Sequence, residues 1–519
     1  MNKKVCVLLI ILASLFSCHR QGGGTSEKTA ELRYGFPTEP TTLDPLSPSN
    51  TADGRSILFN VFEGMVKPDT SGRLQPCAAE SWVIGQDGLI YDFKLRKGVF
   101  FHDGSLMNSA DVQFTLETAN AAGFPGFAQI DKVEALGDMD IRITLKDADP
   151  EFLPYLAIGI IKAGNTDREK HVNGTGPFCI ESYEIQRSLV LRRFDAYWQL
   201  LQFQDSAEPA FTAVDSERVP LEKVTIVFLA DSNALLLALQ GGSIDGASLI
   251  GSLAEQLEPD LFDIVPYYSA SVQLMALNNA VPPLNDIRVR QAINYIVDIQ
   301  EIIDTAFFGR GEPSGSPLIP GLEAYYESDL RDPYARDLER ARALLAQAGY
   351  GDGSNQKKLS LEITVPSNYT MHVDTAQVIA GQLDKAGINT SIKQIDWASW
   401  LSTVYRQRQY QATIISLDGE NVVSPRSFLA RYRSSAGNNF INFASADFDR
   451  VYEASLIETN DAERVALYRE AQRVISDEAA SVYIQDILGF KAFRKGAFGG
   501  VVNYPLYIID FAPMYRTGS

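Results

Sequence analysis

The chain has 519 residues, 45% of them hydrophobic, and carries a formal net charge of −19 at pH 7. A chain of this length predicts about two to four domains with more than one hydrophobic core. The acidic balance disfavours nucleic acid and anionic membrane surfaces as partners, because both would repel the protein. It mildly favours neutral or cationic ligands.

The first residues have the pattern of a secretory signal peptide. Lys3 and Lys4 precede an apolar run over residues 5–16, which is shorter than the roughly 20 residues that a membrane-spanning helix needs. The quartet Leu15-Phe16-Ser17-Cys18 resembles a bacterial lipobox, in which the cysteine is lipidated and becomes the first residue of the mature chain.

We therefore predict a signal peptide over residues 1–17 and a lipid such as palmitate on Cys18. An ordinary signal peptide with an incidental cysteine is the alternative. Residues 18–29 are polar and glycine-rich, which predicts a flexible tether. The pattern indicates an extracytoplasmic protein anchored to a bacterial membrane, either in the periplasm or at the cell surface.

Hydrophobic periodicity then predicts strands and helices in alternation. The predicted strands are 90–95, 141–145, 188–193 and 224–228. The predicted helices are 233–240, 337–348, 373–386 and 462–475. The proline-rich run 313–320 is predicted as a loop and a candidate crossover between domains. Helices interspersed with strands favour an α/β fold.

Cysteine and histidine usage limits the chemistry of the chain. Beyond Cys18, the mature chain keeps Cys77 and Cys179, which are equally compatible with a disulfide in an oxidising compartment and with two free thiols. The four histidines are scattered without metal-ligand spacing. The chain has no Gly-x-Ser-x-Gly elbow, His-Glu-x-x-His helix or Walker loop. The sequence therefore predicts no metal, no cofactor and no enzymatic activity.

Several short motifs follow one another in a fixed order. They are TEPTTLDP (38–45), FEG (62–64), AESW (79–82), DGLIYDFKLRKGVFFHDG (87–104), GTGPF (174–178), YW (197–198), GSID (242–245), DIRVRQAI (286–293) and ARALLAQAGY (341–350). Together they resemble the family 5 extracellular solute-binding proteins of ABC importers, which include dipeptide-, oligopeptide- and nickel-binding proteins. The resemblance extends from about Leu32 to the end of the chain. We expect most of the motif residues to serve the fold, because a fold signature does not fix a substrate.

The resemblance implies an α/β, two-lobed periplasmic-binding-protein-like fold of class II with an extra subdomain inserted in lobe I. Carried onto this chain, lobe I comprises residues 30–60, 182–275 and 490–519, the inserted subdomain 61–181, and lobe II 276–489. The solute lies between the lobes, and closure of the hinge buries it. The resemblance also implies a monomer that delivers its solute to a membrane permease with ATPase subunits.

The family's peptide binders place a carboxylate against the ammonium end of the peptide, shortly before a Pro-x-x-Phe-Leu stretch and just after a tryptophan. Here the stretch is residues 425–429, but the segment before it contains no tryptophan. Three interpretations stay open. Asp418 or Glu420 supplies the charge, a neutral Asn421 marks a solute without a free amino terminus, or these are ordinary loop residues.

Position within the family pattern gives six further candidate ligand-binding residues. Asn278 and Asn279 begin lobe II, and Asn50 and Thr51 lie in a loop that borders the cleft. Trp397 and Trp400 are candidates for the wall of a side-chain pocket, with core packing expected for at least one of them.

The sequence thus predicts a lipid-anchored peptide-binding component of an ABC importer that works by hinge closure. Two rival hypotheses remain. The same fold binds a solute that is not a peptide, or it serves as a surface receptor or adhesin without a role in transport.

Overall fold

The structure, a computed structural model, describes residues 30–47, 50–70, 72–124, 126–199, 218–229, 231–351, 353–367, 369–419, 424–504 and 507–517. The strands are β1 (Glu31–Phe36), β2 (Val66–Pro68), β3 (Leu74–Pro76), β4 (Ala79–Ile84), β5 (Ile90–Leu95), β6 (Ile130–Gly137), β7 (Asp140–Leu145), β8 (Phe178–Glu184), β9 (Ser188–Arg193), β10 (Arg218–Pro220), β11 (Lys223–Phe228), β12 (Gly246–Ile250), β13 (Phe262–Leu277), β14 (Gly311–Pro313), β15 (Ser360–Pro366), β16 (Asn389–Ile395), β17 (Ala412–Asp418), β18 (Ser481–Arg494), β19 (Phe498–Gly499) and β20 (Tyr515–Thr517).

The α-helices are α1 (Ala52–Phe59), α2 (Ser109–Ala121), α3 (Ser232–Gly241), α4 (Gly251–Ala254), α5 (Ile287–Ile296), α6 (Ile299–Ala306), α7 (Leu338–Gln347), α8 (Thr370–Lys385), α9 (Trp397–Trp400), α10 (Pro425–Leu429), α11 (Ala446–Ile457) and α12 (Asp461–Asp477). The predicted strands correspond to β5, β7, β9 and β11, and the predicted helices to α3, α7, α8 and α12. Helix α3 begins after the N-cap Asp231 and is followed by the C-cap Gly242, which adopts a left-handed conformation with φ 79°.

Two long antiparallel strands, β13 and β18, join the two halves of an 11-stranded sheet. On one side the sheet continues through β17, β15 and β16, and on the other through β12, β1, β11, β9 and β8. The pairing of β13 with β18 shifts register between Tyr268 and Val272, and Ala270 between them has a φ of 57°. This irregularity lies where β13 passes from one half of the sheet to the other, which suits a hinge because a bulge bends the strand there.

Separate hydrophobic cores lie on the two sides of this crossing. One core is built around Leu32, Tyr34 and Phe36 of β1 and continues into the inserted subdomain. Two others cover the sheet around β15 and β17, with Trp400 in the first and Ile363 in the second. The molecule is therefore a two-lobed α/β protein, as predicted. The exact lobe boundaries remain a prediction.

The run 313–320 does not cross between the lobes, contrary to the hypothesis above. Ser314 and Ser316 are buried, Leu318 and Ile319 belong to a core of lobe II, and the Ser316 hydroxyl donates to Gln472 of α12 at 2.9 Å. Prolines signal a break in regular structure, but they do not indicate which domain holds the loop. The two crossings are made by β13 and β18.

The inserted subdomain contains its own four-stranded sheet in the order β4-β5-β7-β6. Where it joins lobe I, Glu63 is buried and accepts hydrogen bonds from the Tyr197 hydroxyl at 2.6 Å and from Trp198 Nε1 at 2.8 Å. Burial raises the pKa of Glu63. The FEG and YW motifs therefore contact each other, which shows that they serve the fold.

We expect Glu63→Ala to lower the free energy of unfolding by about 2 kcal/mol, because it leaves the buried donors of Tyr197, Trp198 and Cys77 without an acceptor. Urea denaturation followed by tryptophan fluorescence measures this difference. Glu80→Ala is the matched control, since Glu80 is exposed on β4. Equal midpoints for the two variants would mean that the buried contacts of Glu63 contribute little.

The cysteine question has a simple outcome in the structure. Cys77 and Cys179 are free thiols, and the Cys77 thiol donates to Glu63 Oε1 at 3.4 Å.

Among the described residues, no helix has the length and apolar character required to cross a membrane, and no group of three or more His, Cys, Asp or Glu side chains is arranged to hold a metal ion.

Candidate functional site

The carboxyl ends of three parallel strands of lobe II form one edge that faces lobe I. Strand β15 pairs in parallel with both β16 and β17, so Pro366, Ile395 and Asp418 end their strands at the same edge. Ligands of α/β proteins commonly bind beyond the carboxyl ends of parallel strands. This edge, here called the lobe II edge, is therefore the candidate site.

Aromatic side chains line the lobe II edge beside β15 and β16. Trp397 is 36% exposed and stacks on Trp400, with ring centroids 5.1 Å apart and an interplanar angle of 4°. Tyr369 is 38% exposed, and its ring contacts Trp397 edge-on at 5.4 Å. Trp400 is buried and donates from Nε1 to Thr413 Oγ1 at 2.9 Å. Trp400 therefore packs in the core, and Trp397 and Tyr369 present the accessible aromatic surface.

Asp418 ends β17 at this edge, opposite Ser271 of β13. Its side chain is 52% exposed, and Oδ2 lies 4.0 Å from Arg55 Nη2 of lobe I. Its backbone carbonyl accepts a hydrogen bond from Arg431 Nη2 at 2.6 Å. The carboxylate is thus held at the cleft by its strand and faces a cation of the opposite lobe.

On the lobe I side, Asn50 and Thr51 shape the start of α1, from which Arg55 projects. Asn50 is buried, and its Oδ1 accepts from the backbone N–H groups of Thr41 and Thr51 at 3.2 and 3.0 Å. The Thr51 hydroxyl caps α1 by accepting from Gly54 N at 2.9 Å. Arg55 Nη1 donates to the Asn50 carbonyl at 2.8 Å. Asn50 and Thr51 therefore position Arg55 opposite Asp418.

Asn278 and Asn279 direct their amide groups into lobe II. The Asn278 Nδ2 group donates to the carbonyls of Arg408 and Tyr410 at 3.0 and 2.9 Å. The Asn279 Nδ2 group donates to carbonyls of three segments of the chain, at residues 277, 441 and 480. Both side chains join segments of lobe II, and their role toward a solute remains a prediction.

A buried network of amide and imidazole groups links β13 and β18, the two strands that cross between the lobes, to α8. Gln273 Nε2 lies 3.2 Å from His372 Nδ1 and donates to Thr375 Oγ1 at 3.0 Å, while Gln485 Nε2 donates to Gln273 Oε1 at 2.8 Å. Burial lowers the pKa of His372 to about 4. The imidazole is therefore neutral near pH 7 and supports the adjacent Tyr369, whose ring centroid lies 5.6 Å away.

Glu420, Asn421 and Cys18, like the signal peptide and tether over residues 1–29, lie outside the described residues. Two residues at the site were not identified from the sequence, Arg55 and Tyr369. Arg55 occupies an ordinary helix position, and Tyr369 lies at the start of α8 without any motif. Their relation to Asp418 exists only in three dimensions.

A family model described as bacterial extracellular solute-binding proteins, family 5 middle, matches residues 73–440. Among curated relatives, heme-binding protein A of Haemophilus influenzae is 27% identical over 473 residues, which cover 82% of each chain. The dipeptide-binding protein of Escherichia coli is 25% identical over 467 residues, covering 82% of this chain and 84% of that protein.

Among solved structures, the ABC transporter substrate-binding protein CtaP of Listeria monocytogenes matches with a TM-score of 0.81 and 24% identity, over 94% of this chain and 100% of that chain. At this identity the match shows the fold. Together with the sheet topology above, it confirms the prediction of a two-lobed α/β fold with an inserted subdomain.

Proposed function

Because the chain belongs to the family 5 bacterial extracellular solute-binding proteins, we propose that it captures peptides between its lobes and delivers them to the permease of an ABC importer. Relatives named dipeptide-binding proteins of Escherichia coli and Pseudomonas aeruginosa align over more than 80% of both chains, which supports a peptide as the solute. The family consists of solute-binding proteins, and we propose that this one binds without catalysis.

The observation that carries the proposal is the position of Asp418. A half-exposed carboxylate ends a parallel strand at the cleft and faces lobe I, where it suits the ammonium end of a peptide. A hydrogen bond from a charged donor to a carboxylate is about twice as strong as one between neutral groups. Of the three interpretations of this segment, we favour ammonium recognition through Asp418. Glu420 and Asn421 remain predictions.

The aromatic surface suits a side chain of the peptide. Trp397 rests on the buried Trp400, so a ring or aliphatic group stacked on Trp397 would meet a surface that is already ordered and would cost little further side-chain entropy. We assign Asn50 and Thr51 an indirect part through Arg55, and Asn278 and Asn279 an indirect part through the folding of lobe II.

We further propose that the mature protein is a monomer anchored to a bacterial membrane through lipidated Cys18, with residues 18–29 as its tether. An anchor of this kind keeps a soluble binding domain near the permease. A glycine-rich tether allows the two lobes to reorient toward it.

Native mass spectrometry tests these proposals on the mature protein, purified from membranes in mild detergent without denaturation. The mass of the chain itself should match removal of residues 1–17 and addition of lipid. The bound mass should be a ladder of peptide masses. A chain cut elsewhere and carrying no lipid would contradict the anchor.

A single mass that is not a peptide would replace the peptide assignment by the rival hypothesis of another solute. The relative named heme-binding protein A and the aromatic surface at Trp397 give this rival its support. An empty cleft that also gives no thermal shift with a peptide library would favour the receptor or adhesin hypothesis.

A further inference from the structure

A second set of charged contacts joins the inserted subdomain to lobe II. Arg426 of α10 places Nη1 at 2.7 Å from both carboxylate oxygens of Asp149. The side chains are only 19% and 5% exposed. The two residues are 277 positions apart in the chain, and they belong to different lobes.

Glu151 extends this contact. Its carboxylate is 6% exposed, accepts a hydrogen bond from the Ser424 hydroxyl, and lies 3.8 Å from Arg464 Nε of α12. The Ser424 hydroxyl also accepts from Arg426 N at 3.1 Å, which caps α10. A pair of acids on the inserted subdomain therefore meets a serine and two arginines on lobe II.

Each side of this contact is fixed within its own lobe. The carbonyl of Asp149 accepts from the Tyr91 hydroxyl at 2.8 Å, and Asp149 Oδ1 accepts from Glu151 N at 3.0 Å. On the other side, Arg464 Nη2 donates to Asp461 Oδ1 at 2.6 Å. The contact therefore joins two separately ordered bodies.

Opening of the lobes would break this contact, because its two sides belong to different lobes. The apolar cores of these lobes are separate. A buried ion pair offsets its desolvation only while both partners remain together, and a partner left alone in a buried site is strongly unfavourable. Once the lobes part, water reaches the charges. The geometry thus ties the Asp149–Arg426 ion pair and the hydrogen bond from Ser424 to Glu151 to the closed arrangement.

The lobe II side of the contact is also tied to the candidate site. Phe428 of α10 packs against Gly419, where an added Cβ would lie 2.3 Å from Phe428 Cε2. Arg431 follows α10 and donates to the carbonyl of Asp418. A solute that orders Asp418 would therefore also order α10, the helix that carries Arg426.

We propose that Asp149, Glu151, Ser424 and Arg426 form an interlobe clasp that stabilises the closed conformation and thereby sets solute affinity without touching the solute. These are positioning residues, and they act by shifting the population of the closed state. Only the statement about affinity rests on the proposed function. The statement about closure does not.

Small-angle X-ray scattering of the ligand-free protein tests closure directly. Arg426→Gln and Asp149→Asn should each increase the radius of gyration, and the double variant should be no more open than either single one, because it leaves no unpaired buried charge. Arg426→Lys should lie between these variants and the wild type, since it keeps the charge and loses the planar fork. Arg142→Gln is the control, because it breaks the Asp92–Arg142 pair within the inserted subdomain and should leave the scattering unchanged.

The affinity of trialanine, measured by calorimetry, should fall about 5- to 150-fold in Arg426→Gln and in Asp149→Asn, which is the usual range for coupled sites. Thermal melts establish that each variant is folded. Wild-type scattering from folded Arg426→Gln and Asp149→Asn would overturn the clasp. More open scattering, combined with no trialanine binding even by the wild type, would leave the clasp standing and contradict the peptide assignment.

Discussion

Asp418→Asn is expected to weaken the binding of trialanine about 100-fold, because the change removes the charge that pairs with the peptide ammonium while keeping the size of the side chain. The loss should appear mainly as faster dissociation, since the pair is enclosed when the lobes close. Calorimetry and stopped-flow measurements on the cargo-free mature protein check both expectations.

Two controls isolate the charge of Asp418. N-acetyl-trialanine lacks the ammonium group, so its weaker binding should be nearly the same in the wild type and in Asp418→Asn. Asp374→Asn removes an exposed acid from α8 and should leave trialanine affinity unchanged. Unchanged trialanine affinity in Asp418→Asn would move the ammonium site elsewhere, with Glu420 as the next acid to change.

Arg55 places a positive charge next to Asp418 and therefore affects which solutes bind there. Its guanidinium lies 4.0 Å from Asp418 in the closed arrangement, so a solute ammonium at Asp418 has a cation close by. Arg55 is itself held by the carbonyl of Asn50. The two residues therefore present one negative and one positive group across the cleft.

Local patterns in the sequence were sufficient for much of the fold. Strand β5 was predicted with its observed bounds because its side chains alternate between the core and the exposed face. Helix α3 was predicted to within one residue at each end because Asp231 and Gly242 act through local chemistry. The FEG and YW motifs were among those that indicated the family, and in the structure Glu63 accepts hydrogen bonds from Tyr197 and Trp198.

The site was predictable only in part, since it is made by segments that meet across the cleft. Asp418 was one of three candidates in the segment before the Pro-x-x-Phe-Leu stretch, and strand β17, which ends at Asp418, was not predicted. Its partner Arg55 and the clasp pair Asp149 and Arg426 could not be predicted, because no local pattern links residues hundreds of positions apart. The proline-rich run 313–320 was placed wrongly for the same reason, as its burial in lobe II depends on α12.

A rise in closure on acidification is the second large effect expected of this protein. Burial raises the pKa of Glu151 to about 7 from its ordinary 4.5. The groups that face it are Asp149 on its own segment and, on lobe II, Tyr325, Ser424, Arg426, Tyr452, Arg464 and Tyr468. Parting of the lobes removes every lobe II group in this set and returns water to the carboxylate.

The sign follows from proton linkage. An acid with a higher pKa in the closed state binds its proton more tightly there, so protonation favours closure. The stabilisation is fully present below about pH 4.5 and is lost as the pH rises through about 7. Between pH 7.5 and pH 5 the ratio of closed to open molecules should therefore increase, by at most about 60-fold.

Ligand-free scattering over this pH range measures the change without requiring a solute. Glu151→Gln should abolish the trend and hold the protein near its acidic closed population at every pH, because glutamine fills the same space without a charge. His102 and His372 have their pKa values lowered to about 4 by burial, so neither contributes between pH 5 and pH 7.5. A pH trend that persists in Glu151→Gln would assign the effect to a group outside the clasp.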